Sequence, residues 1–220
     1  MTRDARTPLA VFAVVAMAHL VSLAAGVTWL EWVTKALLIP SLAVWFAQQR
    51  GPRLVLSALI LCAAGDVALQ FDQLFIVGMG LFAAAHVCYV TYFLRSGAAA
   101  GRRRRWFIPV LYGMAWLSLV ALLWSGLGAL RIPVALYAVL LTGTAVTSAG
   151  FSAWTGVGGL LFFISDGLIS LRLADLPQPP GPSLWIMSTY IVAQYLLASG
   201  VLRHQTRAAA PALGGPAAVH

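Results

Sequence analysis

The run LVLSALILCAAGDVALQFDQLFIVGMGLFAAAHVCYVTYFL, residues 54–94, contains two apolar stretches interrupted only around Gln70 to Gln73. Each is close to the roughly 20 residues a helix needs to cross the hydrocarbon core of a bilayer. Neither alternates polar and apolar side chains with a period of two, which excludes the strands of a membrane barrel. The run therefore reads as a helical hairpin, with one span over 54–70 and its return over 74–94. The single formal charge inside either span is Asp66.

Working outward, the same pattern gives spans at 9–29 and 34–49 before the hairpin, and at 106–125, 131–149, 156–174 and 184–202 after it. The expected fold is an all-α membrane protein, a bundle of eight transmembrane helices forming one domain over residues 1–207. The second span is short and contains Pro40, so a kink or tilt is expected there. The first follows Arg3 and Arg6 in the manner of a signal peptide, but its apolar stretch is too long for one and is kept as a span. Residues 208–220 are rich in Ala, Gly and Pro and are expected to form a disordered tail.

Composition agrees with this reading. Of 220 residues, 61% are hydrophobic and 9% charged, and mean hydropathy is +0.89. A soluble domain carries about 25% charged residues, so a soluble enzyme, a disordered chain and a fibrous repeat are all excluded. The net charge of +8 comes almost wholly from arginine, Lys35 being the one lysine. The run Arg102, Arg103, Arg104 and Arg105 lies between closely spaced spans, which points to anionic lipid headgroups and not to nucleic acid.

With the N-terminus inside, eleven arginines fall on the inner side (positions 3, 6, 50, 53, 95, 102–105, 203 and 207) and two, Arg131 and Arg172, on the outer. This bias predicts a multi-pass protein of the cytoplasmic membrane with both termini in the cytoplasm. Cys62 and Cys88 fall inside spans without metal-ligand spacing and read as small core residues.

An ionisable group inside a span is costly and is a functional candidate for that reason. Asp4, Asp72 and Asp175 lie in termini or loops, and Glu31 lies at the outer end of the first hairpin. Asp66 and Asp166 remain. Counted from Arg53 and Gly156, helix rise places them about 20 Å and about 15 Å from the inner surface, near a common layer. Lys35, His86, Tyr89, Tyr190 and Gln194 can reach the same layer. Each also has a plainer reading: Lys35 snorkelling to the outer headgroups, His86 bonded to a carbonyl, Gln194 joining helices, the tyrosines packing with satisfied hydroxyls. The two acids resist that treatment, because one lysine cannot neutralise both. Burial and a neighbouring carboxylate both favour the neutral acid, so one of the pair is expected to keep its proton near neutral pH. A neutral acid beside an ionised one is the arrangement that acid–base catalysis uses.

These residues, taken in order, resemble the YhhN-like family of eight-span membrane proteins that includes the lysoplasmalogenases. TKALLIPSLAVWF (34–46) resembles the family's Thr-Lys-Pro segment, with Ala36 where proline is usual. LILCAAGDVAL (59–69) carries a Gly-Asp pair at Gly65 and Asp66, and GLFAAAHVCYV (80–90) carries Ala85, His86 and Tyr89. Pro109 with Tyr112, and Pro133 with Tyr137, match more loosely. GGLLFFISDGLISL (158–171) carries Ser165 and Asp166, and TYIVAQYLLASG (189–200) carries Tyr190 and Gln194. The resemblance implies hydrolysis of the alkenyl ether bond of lysoplasmalogens to a fatty aldehyde and a glycerophospho-alcohol, with Asp66 and Asp166 as the suspected catalytic pair.

A vinyl ether is electron-rich, so it is cleaved by protonation of its β-carbon followed by attack of water on the resulting oxocarbenium ion. That chemistry needs an acid, an anion and a bound water, and two carboxyl groups in different protonation states supply it, as in glycosidases. Either aspartate can take either role on this reading. His86, Tyr89, Tyr190 and Gln194 would bind substrate, orient water or tune the acids, and Lys35 would face the lipid phosphate. No metal or other cofactor is expected. Gly156, Gly158 and Gly159 allow close helix approach. Spans one to four and five to eight read as parallel repeats with the site between them. The alternative function is a lipid or small-molecule transporter using the acids as a proton relay. An intramembrane aspartyl protease ranks lower because its Pro-Ala-Leu element is missing near the C-terminus, as does a purely structural bundle.

Overall fold

A computed structural model describes residues 3–97 and 106–209. Among them it contains eight α-helices and no strand: α1 Arg3–Ala25, α2 Thr28–Gln48, α3 Arg53–Ala68, α4 Phe75–Arg95, α5 Phe107–Leu123, α6 Arg131–Phe151, α7 Ala153–Leu173 and α8 Pro182–Ala209. The arginine run 102–105 and most of the tail read from sequence lie outside the described residues; Ala208 and Ala209 close α8.

Six stretches are long and apolar enough to cross a membrane: Thr7–Ala25, Thr28–Gln48, Asp72–Arg95, Gly128–Phe151, Ala153–Leu173 and Pro182–Arg207. Helices α3, with 16 residues, and α5, with 17, are shorter. At 1.5 Å per residue they reach about 25 Å against a core of about 30 Å. The exterior carries large apolar side chains such as Val14, Met114 and Leu136, while Asp66, His86, Thr144, Asp166 and Gln194 are buried. This is the inverse of a water-soluble protein and the architecture of a helical membrane protein.

Seven helices close a ring. Neighbours in sequence pair from α1 to α4, α4 then packs on α6, α6 on α7, α7 on α8, and α8 returns to α1 and α2. Helix α5 lies outside, against α6 and less extensively α7, and it adds no residue to the main buried cluster, which draws on the other seven.

Local sequence explains the junctions near the site. Gly26 ends α1 at φ +68°, where Val27 N–H bonds back to the Ser22 carbonyl at 3.0 Å; a left-handed residue suits glycine. Helix α2 then begins at Thr28, six residues before the span expected from sequence, and continues through Pro40 to Gln48. The expectation of a short second span is thereby corrected: Glu31 sits in the first turn, where the positive end of the helix dipole favours it, and Lys35 lies within α2. At the start of α7 the Ser152 hydroxyl accepts from Thr155 N–H at 3.1 Å, a standard N-cap.

Glycines set the depth of the acids. A Cβ on Gly65 would come within 2.7 Å of the Phe82 ring, and one on Gly78 within 3.3 Å of the Gly65 carbonyl, so α3 and α4 cross closely one residue before Asp66. A Cβ on Gly159 would meet Ala145 Cα at 3.0 Å, and one on Gly158 would meet Leu197 N at 3.0 Å. Helix α7 is thus wedged between α6 and α8, two turns before Asp166.

Candidate active site

Asp66 and Asp166 each lie thirteen residues after the first residue of their helix, Arg53 and Ala153. Equal rise along two helices running the same way brings them to a common layer. Both are buried, 4% and 7% exposed, and both line one cavity of about 90 Å³ together with Lys35, Tyr137, Ser165 and Tyr190. The remaining wall is apolar, including Met79, Phe82, Val134, Ile186 and Met187. One water occupies roughly 10–15 Å³ on this scale, so there is room for a water and a short stretch of substrate.

Each carboxylate receives a phenol. Tyr190 on α8 donates to Asp66 Oδ2 at 2.7 Å, and Tyr137 on α6 donates to Asp166 Oδ2. Behind Tyr137 stands His86, with Nε2 at 3.2 Å from the Tyr137 hydroxyl and 3.9 Å from Asp166 Oδ2. His86 Nδ1 lies 3.1 Å from Thr144 Oγ1. The directions of these bonds follow from counting hydrogens. The phenol hydrogen of Tyr137 goes to Asp166, so its oxygen must accept from His86 Nε2–H. In the neutral ring Nδ1 then accepts from Thr144. The result is a one-way chain, Thr144 to His86 to Tyr137 to Asp166, with each hydrogen aimed at the carboxylate. Ser165 does not offer a free nucleophile, because its hydroxyl is committed to the Ile186 carbonyl at 3.0 Å.

A second, wider space of about 410 Å³ adjoins this cavity and shares Lys35, Leu69, Phe75, Ile169, Ile186 and Met187 with it. Its wall also carries His19, Glu31, Gln70, Asp72 and Arg172. Its residues come from the α1–α2, α3–α4 and α7–α8 ends of the helices, the end opposite α8's C-terminus. The deep, apolar, two-acid chamber thus continues into a polar vestibule, and Lys35 stands at their junction. Among the described residues no lysine or arginine, Lys35 included, lies within 4.0 Å of a carboxylate.

With that geometry established, comparison with known proteins is direct. The YhhN family model matches residues 30–201. The chain belongs to the YhhN family. It is 32% identical over 180 residues to the lysoplasmalogenase TMEM86B of Homo sapiens, covering 80% of this chain and 77% of the human protein. It is 33% identical over 176 residues to a lysoplasmalogenase of Mycobacterium bovis, covering 75% of this chain and 66% of that one. No solved structure matches the chain.

In this YhhN protein, Asp66, Asp166, Lys35 and Tyr190 line the one chamber. His86 stands one residue behind its wall. Tyr89 and Gln194 line neither space: Tyr89 donates to Gln194 Oε1 at 2.8 Å deeper in the bundle. Tyr137 and Thr144 were not singled out for the site from sequence, although each is a polar side chain inside an apolar span and Tyr137 belongs to the Pro133-to-Tyr137 match. Among the described residues no three His, Cys, Asp or Glu side chains group as metal ligands.

Proposed function

We propose that this protein is an intramembrane hydrolase that cleaves the vinyl ether bond of lysoplasmalogens, with Asp66 and Asp166 as its acid–base pair. The observation carrying the proposal is the shared apolar chamber lined by both carboxyl groups, in a chain whose relatives are named lysoplasmalogenases. Each carboxyl group receives one phenol, and the phenol on Asp166 accepts in turn from His86 Nε2–H. A phenol polarised from behind in this way is the stronger donor, so we assign Asp166 the role of carboxylate and Asp66 that of acid.

Asp66 gives its proton to the β-carbon of the vinyl ether. The cation develops on the carbon bearing oxygen, beside the Asp166 carboxylate. Asp166 takes a proton from water as that water adds to the cation. Collapse of the hemiacetal returns its hydroxyl proton to Asp66, while Asp166 passes its proton to the departing glycerol oxygen. The products are fatty aldehyde and glycerophospho-alcohol, and both acids are restored. Lys35 at the chamber mouth holds the phosphate.

The bundle sits in the cytoplasmic membrane as eight spans with both termini inside, so the vestibule opens outward and the lysolipid enters from the outer leaflet. Two features support reading the halves as a parallel repeat: the matched positions of the acids on α3 and α7, and the paired contacts of α4 with α6 and α8 with α2. The test is to offer the purified protein lysolipids with alkenyl, alkyl and acyl links. Aldehyde from the alkenyl lipid alone is expected. Fatty acid from the acyl lipid, or no product from any of them, would overturn the assignment, the second outcome favouring transport.

A further inference from the structure

The wall of the vestibule includes a histidine to which the chemistry above gives no role. His19, on α1, is 1% exposed and lines the vestibule. Its Nδ1 lies 2.8 Å from Thr34 Oγ1 on α2. The Thr34 hydroxyl donates to the Leu30 carbonyl at 2.6 Å, so its oxygen accepts from His19 and the ring proton resides on Nδ1. Nε2 of the neutral ring is then an acceptor, and it has no hydrogen-bond partner among the described residues. Gln70 Oε1, on the same wall, is a second buried acceptor without a partner. Buried acceptors of this kind are costly to leave unmade.

The charged groups around them specify what could satisfy them. Lys35 and Arg172 are cations suited to a phosphate, and Glu31 and Asp72 are anions suited to an amine. A phosphate carries oxygens without hydrogens and cannot satisfy Nε2. With an amine drawn to Glu31 and Asp72, a hydroxyl placed between the phosphate and the chamber would satisfy it. In a single-chain glycerophospholipid with its C1 ether at the carboxyl groups, the free C2 hydroxyl occupies that interval.

We propose that His19 Nε2 accepts a hydrogen bond from this hydroxyl and so selects lipids with one chain over lipids with two. The inference rests on the reading that the substrate is a lysoplasmalogen. Acylation at C2 replaces the donor with ester oxygens, which would turn lone pairs toward a lone pair. Sites built to bond a hydroxyl discriminate strongly against analogues that lack it.

Binding, not turnover, tests this. Purified protein in detergent is titrated with 1-O-hexadecyl lysophosphoethanolamine, whose saturated ether cannot react, and with its 2-deoxy analogue. The wild type is expected to bind the hydroxyl compound at least about tenfold more tightly, the cost of one unmade buried bond. His19→Asn keeps an N–H for Thr34 and deletes Nε2, and should bring the two affinities within about twofold. His19→Gln, whose amide oxygen falls near the lost Nε2, should restore part of the difference. A wild type that binds both compounds alike overturns the proposal. So does His19→Asn with the full ratio retained, or with both affinities reduced equally, which would make His19 a contact that does not read the hydroxyl. Discrimination by a protein that cleaves no lysoplasmalogen would refute the reaction and leave the hydroxyl site standing; cleavage without discrimination would do the reverse.

Discussion

Tyr137→Phe removes one oxygen and leaves the ring. In the wild type that oxygen receives His86 Nε2–H at 3.2 Å and donates to Asp166 Oδ2, so its loss disconnects Asp166 from the chain behind it. The next donor, His86 Nε2, stands 3.9 Å away, too far for a bond. A hydrogen bond to a charged group contributes about 1.5–3 kcal/mol. The bond also orients the Asp166 carboxylate towards the carbon where the cation develops, so its loss is felt chiefly at the transition state. At about 1.4 kcal/mol per factor of ten, kcat for aldehyde release should fall roughly 10- to 150-fold, with KM changed little. Tyr89→Phe is the control: it also loses a buried phenol bond, to Gln194, but outside the chamber, and should change kcat less than about threefold. Initial rates of fatty aldehyde formation, with thermal unfolding confirming intact folds, decide the matter. Equal effects of the two variants, or Tyr137→Phe at near-normal kcat, would refute the assignment of Asp166 as the supported carboxylate.

Lys35→Met should raise KM for the lysolipid about tenfold while kcat moves less, since the ammonium at the chamber mouth meets the phosphate and not the reacting bond; steady-state kinetics on micelles would show the split. Gly159→Val puts a side chain where a Cβ already meets Ala145 Cα at 3.0 Å, and should cost about 1–3 kcal/mol, lowering Tm by roughly 2–10 °C in a thermal melt. With Cys62 and Cys88 replaced by Ala, a membrane-impermeant maleimide should label Gln73→Cys on intact cells and leave Gln48→Cys unlabelled, because the two positions lie at opposite ends of the bundle; the reverse pattern would invert the orientation drawn from the arginines.

Much of the helical layout was legible in the sequence because an apolar run of membrane length has few alternative readings. The main boundary error was the start of α2. There Trp29, Glu31 and Trp32 dilute the apolar signal, although the helix has already resumed after Gly26. Asp66 and Asp166 were legible for an energetic reason, since a carboxyl group in an apolar run needs an explanation. Helix neighbours were not legible. Tyr190 and Gln194, four residues apart on α8, read as one face, yet the first serves Asp66 and the second Tyr89. Tyr137 was passed over because a tyrosine in a span packs well without a function, and its role depends on α6 lying beside both α4 and α7. His19 carried the same ionisable signal as His86 but was absorbed into a long apolar span.

The central claim is that two carboxyl groups act as one acid–base unit, and a double-mutant cycle addresses it directly. Asp66→Asn, Asp166→Asn and the double variant are compared for aldehyde release from a lysoplasmalogen. Groups that work as a unit lose their effect together. Each single variant should therefore fall by about a thousandfold or more, and the double variant should be scarcely slower than either. A single variant close to the wild-type rate, or losses that multiply in the double, would contradict the account.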